Sequence, residues 1–519
     1  MSANPETAAP SRRKKIAQDK ERSNAALGQE SQNTSSPEGT KEGNALPSGW
    51  KWKTIRDLVS DEGVFIDGDW VESKDQDQNG DVRLIQLADV GDGVYQDKSD
   101  RFMTKAKTEE LRCTFLKDGD VLIARMPDPL GRACIFPGDA KPSVTVVDVA
   151  IVRSGNGEFD HRWLACFVNA HPFRSAISGL QAGSTRKRIS RGNLATIPLP
   201  VPPLPEQRRI VAEIEKQFTR LDAGVAALRR VRANLKRYRA AVLKAACEGR
   251  LVPTEAELNK SGSGVPPLGL GKKRQDAAST FETGEALLAR ILTERRKNWQ
   301  GRSKYKEPAA HATIGLATLP EGWIWTTIGA CFHVAVGATP SRKEASYWGG
   351  GIPWVSSGEV RFTAIVDTRE TITNEGLENS STQLNPKGSV LLGMIGEGKT
   401  RGQTAILKID ACNNQNCAAI WVSQTEVPPG YVYYWLWSQY DNTRRTSSGN
   451  NQPALNKARI EVMPLPLPPL AEQTRIVAEV ERRLSVVEEL EAVVSANLQR
   501  ATRLRQSILQ EAFTVKLRA

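Results

Sequence analysis

The chain has 519 residues, 39% of them hydrophobic and 25% charged, which is ordinary for a water-soluble protein with two or three domains and real cores. Its formal net charge of +12 points to a polyanionic partner, although many proteins carry such charge on an idle solvated face. No apolar run approaches the ~18 residues of a membrane span, and the polar N-terminus lacks the apolar core of a secretory signal. Seven cysteines without a CxxC pair and only four histidines argue against a disulfide scaffold or a zinc site, and fit a reducing cytoplasm.

Residues 1–45 are poor in apolar side chains and are expected to be a disordered tail, with one basic knot at Arg12–Lys15. Residues 46–205 read as a first domain of short strands (Arg83–Leu87, Val121–Ala124, Ala133–Phe136, Ser143–Val147) and a helical patch at His161–Ile177. Trp50 and Trp323, each after a Pro-x-Gly turn, are expected to be packing anchors.

At Ile197-Pro-Leu-Pro-Val-Pro-Pro-Leu-Pro-Glu-Gln207 the chain changes character, and it repeats this stretch without a gap as Met463-Pro-Leu-Pro-Leu-Pro-Pro-Leu-Ala-Glu-Gln473. Each copy reads as an extended strand turning into a helix, because proline fits a first helical turn but not its interior. Behind each copy, apolar residues recur in steps of three and four. The first series is Ile210, Ile214, Phe218, Leu221, Val225, Leu228, Val231, Leu235, Tyr238 and Val242. The second is Ile476, Val480, Leu484, Val487, Leu490, Val494, Leu498, Ala501, Leu504 and Ile508. A step averaging about 3.5 is a coiled-coil seam, and about forty residues make a rod of roughly 60 Å. Two rods of equal length in one chain are obvious partners.

Residues 206–250 are thus a first long helix, closed by Gly249, and residues 251–318 a linker with a flexible Gly/Ser stretch and Lys272–Arg274. Within it, Gly284–Trp299 predicts a short basic helix that docks through Leu287, Leu288, Ile291 and Leu292 while presenting charge. Residues 319–470 form a second domain, with strands at Val390–Leu392, Thr404–Leu407 and Ala418–Trp421 and an aromatic helix at Tyr431–Tyr440. Residues 471–519 are the second long helix. Leu46-Pro-Ser-Gly-Trp50 returns as Leu319-Pro-Glu-Gly-Trp323, and Leu116–Ile123 has a counterpart in Leu384–Leu392, yet between these landmarks the halves differ almost completely.

Gly393–Thr400 satisfies the G-x-x-x-x-G-K-T pattern, but a phosphate loop needs a helix beginning at its Lys-Thr. Arg401–Leu407 reads instead as a turn into a strand, so a Gly-rich hairpin is expected. Lys399 and Arg401 on that loop, and Arg125 and Arg132 on its twin, could reach a nucleic-acid backbone. Before each long helix lies another loop, basic in one copy (Arg186, Lys187, Arg188) and amide-rich in the other (Asn450, Asn451, Gln452). Arg and Lys suit guanine edges and phosphates, Asn and Gln suit adenine, and ordinary polar turns remain an equal alternative for each residue. Asp75–Gly80 begins like a calcium loop but has Gln86 at its twelfth position and reads as a polar turn. No catalytic constellation emerges.

These paired motifs, with Lys236-Arg-Tyr-Arg-Ala-Ala-Val-Leu-Lys244, Leu287–Arg296 and Gln506–Phe513, resemble the specificity subunit of type I restriction–modification enzymes over residues 46–519. The resemblance implies an α+β architecture: two mixed α/β target recognition domains, each followed by a long helix, the helices forming an antiparallel coiled coil. That coil would use Ile210, Ile214, Leu221, Leu228, Leu235, Ile476, Val480, Val487, Val494 and Ile508. It implies a cytoplasmic, non-catalytic chain that reads a bipartite, asymmetric double-stranded DNA target and docks two modification (methyltransferase) subunits and restriction subunits. S-adenosylmethionine, ATP and magnesium would sit on those partners and none on this chain. The other readings are a stand-alone enzyme binding nucleotide at Gly393–Thr400, and a coiled-coil scaffold that does not bind DNA.

Overall fold

A computed structural model describes residues 46–59, 61–127, 129–155, 157–183, 187–261, 282–298, 305, 307–308, 315–396, 399–445 and 455–513. The tail at 1–45, Lys272–Arg274, Arg186, Asn450, Asn451 and Gln452 lie outside the described residues. The chain divides into two compact α+β units, Met1–Leu228 with Asn497–Ala519, and Arg229–Ala496.

The first unit carries strands β1 (Lys51–Lys53), β2 (Val64–Asp67), β3 (Val82–Ile85), β4 (Phe102–Met103) and β5 (Val121–Ala124). They are followed by β6 (Ala133–Ile135), β7 (Ser143–Thr145), β8 (Val149–Arg153) and β9 (Leu199–Val201). One sheet runs β2-β8-β5-β6, a second β4-β3-β7, and β1 pairs with β9. Strand β5 is apolar at every position because both its faces are covered. Val121 and Ile123 face Trp163 and Phe167, while Leu122 and Ala124 face Ile85 and Phe136. Alternation of side chains along a strand produces that division.

The expected helical patch is two helices, α1 (His161–Asn169) and α2 (His171–Leu180). Ala170 between them is extended, with ψ 152°. Pro172 has no N–H for the preceding turn, and its ring excludes a continuous helix. Trp163, Phe167 and Phe173 are buried together all the same. The third helix, α3 (Leu204–Cys247), starts in this unit.

In the second unit, α3 ends and Gly249 (φ 65°) closes it, with Arg250 N donating to Ala245 O at 2.8 Å. Short α4 (Glu255–Lys260) and the linker helix α5 (Gly284–Lys297) follow. Then come β10 (Ile324–Thr327), β11 (Val334–Val336), β12 (Trp348–Val355), β13 (Thr363–Ile365), β14 (Glu370–Ile372) and β15 (Val390–Gly393). After β16 (Thr404–Leu407), β17 (Cys412–Asn413) and β18 (Cys417–Ile420) come α6 (Pro429–Ser438), α7 (Tyr440–Arg445) and β19 (Pro464–Leu467). Helix α8 (Leu470–Phe513) is the last described element.

The sheets run β11-β18-β15-β16-β13 and β14-β12-β17, with β10 against β19. Strand for strand this is the first unit's plan, the parallel β3–β7 pair matched by β12–β17, plus one added strand, β13. The two-sided burial recurs as well: Val390 and Leu392 lie against Tyr431, Leu391 against Val355. Two nearly unrelated sequences therefore build one topology.

Helix α5 docks as expected, with Leu287 and Ile291 buried in the main core. Its charge is largely neutralised rather than presented. Arg290 pairs with Glu282 and Glu426, Arg296 with Glu307, and Arg295 donates to the carbonyls of Gly329 and Ala330.

Helices α3 and α8 are each 44 residues long, about 66 Å. Of the expected seam, Ile214, Leu235, Ile476, Val480, Val487, Val494 and Ile508 are buried, while Ile210, Leu221 and Leu228 are half-buried. Val231, Tyr238, Leu490 and Leu504 are exposed instead. A regular step of about 3.5 selects a stripe wider than two helices can cover.

Candidate nucleic-acid interface

The repeated motifs are bonded to one another. In the first unit Trp50 Nε1 donates to Glu206 Oε2 at 2.9 Å, and β1 pairs with β9. In the second Trp323 Nε1 donates to Glu472 Oε1 at 3.0 Å, and β10 pairs with β19. The Leu-Pro-x-Gly-Trp turn and the Pro-rich strand are thus two sides of one joint that seats a recognition-sized domain on its helix. The neighbouring glutamine ties the strand down, Gln207 Nε2 to Pro202 O at 2.9 Å and Gln473 Nε2 to Pro468 O at 2.8 Å.

The joints differ in one respect. Gln207 Oε1 accepts from Asp160 N, the N-cap of α1, at 2.9 Å. In the second unit the N-cap of α6 is Pro428, which has no N–H, and the buried Gln473 Oε1 has no hydrogen-bond partner among the described residues. Glu472, fully buried, also accepts from Glu255 N at 3.1 Å, and burial pushes its carboxyl up to about 7.

The β5–β6 and β15–β16 turns are equivalent. Gly131 N donates to Ala124 O at 2.9 Å, and Gly402 N to Gly393 O at 2.8 Å, both glycines having φ near 80°. The ladder pairs Ile123↔Ala133 and Leu392↔Thr404 then make Arg132 the counterpart of Gln403, and Leu130 the counterpart of Arg401. Arg132 and Arg401 therefore do not share a position in the two turns.

Arg132 is also corrected in role. Its guanidinium donates to the carbonyls of Val90, Leu87, Pro129 and Met126, so it is a buried latch and not a surface cation. Arg125 is 4% exposed and paired with Asp67 at 2.8 Å, which likewise withdraws it from solvent. Lys187 and Arg188 are exposed, and Ala182 and Arg188 exchange backbone bonds of 2.8 and 2.9 Å.

On the β15–β16 turn Lys399 is exposed and Arg401 only 5% exposed. No helix begins at Lys399–Thr400; a turn leads into β16, so the helix N-terminus that a phosphate loop requires is missing among the described residues. Helix α7 lies against this turn, with Tyr440 Oη donating to Lys399 O at 2.8 Å and Arg444 Nη1 reaching Arg401 O at 3.4 Å. Phe362 stacks on Trp437 at 4.9 Å and meets Tyr440 edge-on at 5.1 Å. Tyr440 and Arg444 were not among the sequence candidates; their only signal was an aromatic helix running into Asn442-Thr-Arg444.

Asp75 is a buried carboxylate capping a short turn, and among the described residues no group of three or more His, Cys, Asp or Glu side chains could hold a metal. None of the seven cysteines forms a disulfide. No described helix is long and apolar enough to cross a membrane.

A family model described as the type I restriction modification DNA specificity domain matches residues 47–225 and again 320–492. The EcoR124I/EcoR124II specificity subunit of Escherichia coli is 26% identical over 167 residues, 31% of this chain and 41% of that one, so the match spans less than half of that relative's length. The EcoEI specificity subunit of Escherichia coli is 22% identical over 520 residues, covering 90% of this chain and 83% of the other. A solved structure described as the structural basis of complex assembly and conformational transition of a type I R-M system shares the fold. Its TM-score is 0.60 at 18% identity, over 91% of this chain and all of that one.

Proposed function

Because the chain belongs to the type I restriction–modification DNA specificity family, we propose that it is the non-catalytic subunit that reads a bipartite, asymmetric target in double-stranded DNA. The observation that carries this reading is one topology built twice, on one repeated joint, with different loops at corresponding places. Divergent loops suit two unlike half-sites, and matched joints and helices suit two equivalent partners. The domains of this division are 46–205 and 319–470, each with its long helix.

Helices α3 and α8 form an antiparallel coiled coil. In the first unit Arg505 pairs with Asp222 at 2.9 Å, and Ile214 shares a cluster with Leu509. In the second, Arg239 pairs with Glu491 at 2.9 Å, and Val242 shares a cluster with Ile476 and Val480. Both sets join early residues of one helix to late residues of the other. The coil is the ruler of the gap between half-sites and the dock for two modification subunits, joined by restriction subunits. S-adenosylmethionine, ATP and magnesium are bound by those partners, in the cytoplasm. Exposed Lys187 and Arg188 are contacts of the first recognition domain, and Lys399 of the second; base contacts specify, and phosphate contacts set register.

Mapping methylated adenines in cells with and without this chain tests the reading. Methylation at one split sequence, present only with the chain, is the expected result. An unchanged pattern in cells that hold the partner subunits would overturn it.

A further inference from the structure

We propose that Lys399, Arg401 and Arg444, set against Tyr440, form a phosphate-binding clamp that grips the DNA backbone in the second domain. This deepens the reading above and rests on it for the identity of the ligand.

Arg401 is 5% exposed, its Nε is buried without a hydrogen-bond partner, and no acidic side chain pairs with its guanidinium among the described residues. A desolvated cation without a counter-ion opposes folding, and buried charges are ordinarily paired. Nor does the fold require a cation there. The same turn position in the first unit holds Leu130, which packs on an apolar core.

Two further cations belong to the same place, Lys399 on the turn itself and Arg444 on the helix that lies against it. Lys399 is exposed and has no ion pair among the described residues; Arg444 lies over the Tyr440 ring at 5.5 Å and reaches Arg401 O. Asp441, the nearest carboxylate along α7, is exposed and makes no ion pair with Arg444. By contrast, Arg83, Arg162, Arg290, Arg342 and Arg475 are all matched to carboxylates. The bonds from Tyr440 and Arg444 to the carbonyls of Lys399 and Arg401 hold these two residues in advance of a ligand. Two guanidinium forks and an ammonium are the donor set of a phosphodiester. A base edge would be met by a single fork in a groove.

The test uses the full chain with Arg401→Met and Arg444→Gln, thermal unfolding, and duplex binding across a salt series. Three 30-bp duplexes of unrelated sequence are the probes. Each variant is expected to lose about tenfold in affinity for all three and to flatten the salt dependence by about one ion. Arg401→Met is expected to melt at or above the wild-type temperature, because it removes an uncompensated charge; a structural arginine would give a lower one. Inorganic phosphate, at matched ionic strength, is expected to stabilise the wild type and not Arg401→Met. Equal phosphate stabilisation with equal duplex affinity overturns the clamp, as does a loss confined to one sequence, which would make Arg401 a base reader. A wild type that phosphate stabilises through Arg401 but that binds no duplex keeps the anion site and removes the DNA reading.

Discussion

Trp323 and Glu472 illustrate how much a single pair can depend on burial. Trp50 makes the same indole–carboxylate bond to Glu206, but both of its partners are only half-buried. Trp323→Phe leaves a buried carboxylate short of a donor and is expected to cost about 1.5–3 kcal/mol, whereas Trp50→Phe is expected to cost roughly 1 kcal/mol or less. Denaturant midpoints of the two variants check the asymmetry. Glu472 also predicts a pH dependence. Its carboxyl is raised from 4.5 to about 7, chiefly by burial, so the folded chain holds a proton that the unfolded chain releases. Its contribution is complete below about pH 4.5 and is lost as pH rises to about 7, a change on the order of 3 kcal/mol. Glu472→Gln should flatten the melting temperature across that window; an unchanged slope would assign the dependence to other groups.

The linker helix α5 depends on one close approach. A Cβ on Gly284 would stand 2.1 Å from Leu467 O, and Gly284 N already donates to Gly322 O at 2.7 Å. Gly284→Ala is therefore expected to lift the start of α5 from β19. Leu287→Ala, at a fully buried position, should cost about 2–5 kcal/mol. Faster proteolysis of the linker in both variants, without loss of the long helices' circular dichroism, is the expected outcome. At this scale the sequence signals worked where they rested on period and on proline. The strand at Val121–Ala124 and the cap at Gly249 are where the residues indicate. The break at Ala170 was missed because Trp163, Phe167 and Phe173 continue the apolar pattern across it, and periodicity does not register a lost N–H. Arg132 was misread for a related reason, since an arginine beside a glycine turn looks exposed until four carbonyls are found around it.

For the whole molecule, two outcomes follow from the proposed coil. Inserting four residues, about one turn, into α3 is expected to change the preferred gap between half-sites and leave both half-sites unaltered. Comparing the methylated motifs of parent and insertion variant reads this directly, and a changed half-site with the gap intact would exclude the ruler. Val486, Leu490 and Val493 form an exposed apolar stripe on α8 at spacing i, i+4, i+7. Leu490→Glu should leave the chain folded yet weaken co-purification of a modification subunit, since exposed apolar stripes mark interaction surfaces.

The tandem organisation, the long helices and the repeated motifs could be read from residue order alone, because proline placement, helical period and exact repetition are local properties. Only the tertiary structure decided which arginines are latches and which lack a carboxylate among the described residues, which part of the apolar stripe is covered, and that Leu130 and Arg401 hold the same place. Those outcomes depend on what the chain brings beside a side chain from tens of residues away, and burial and charge compensation are set there.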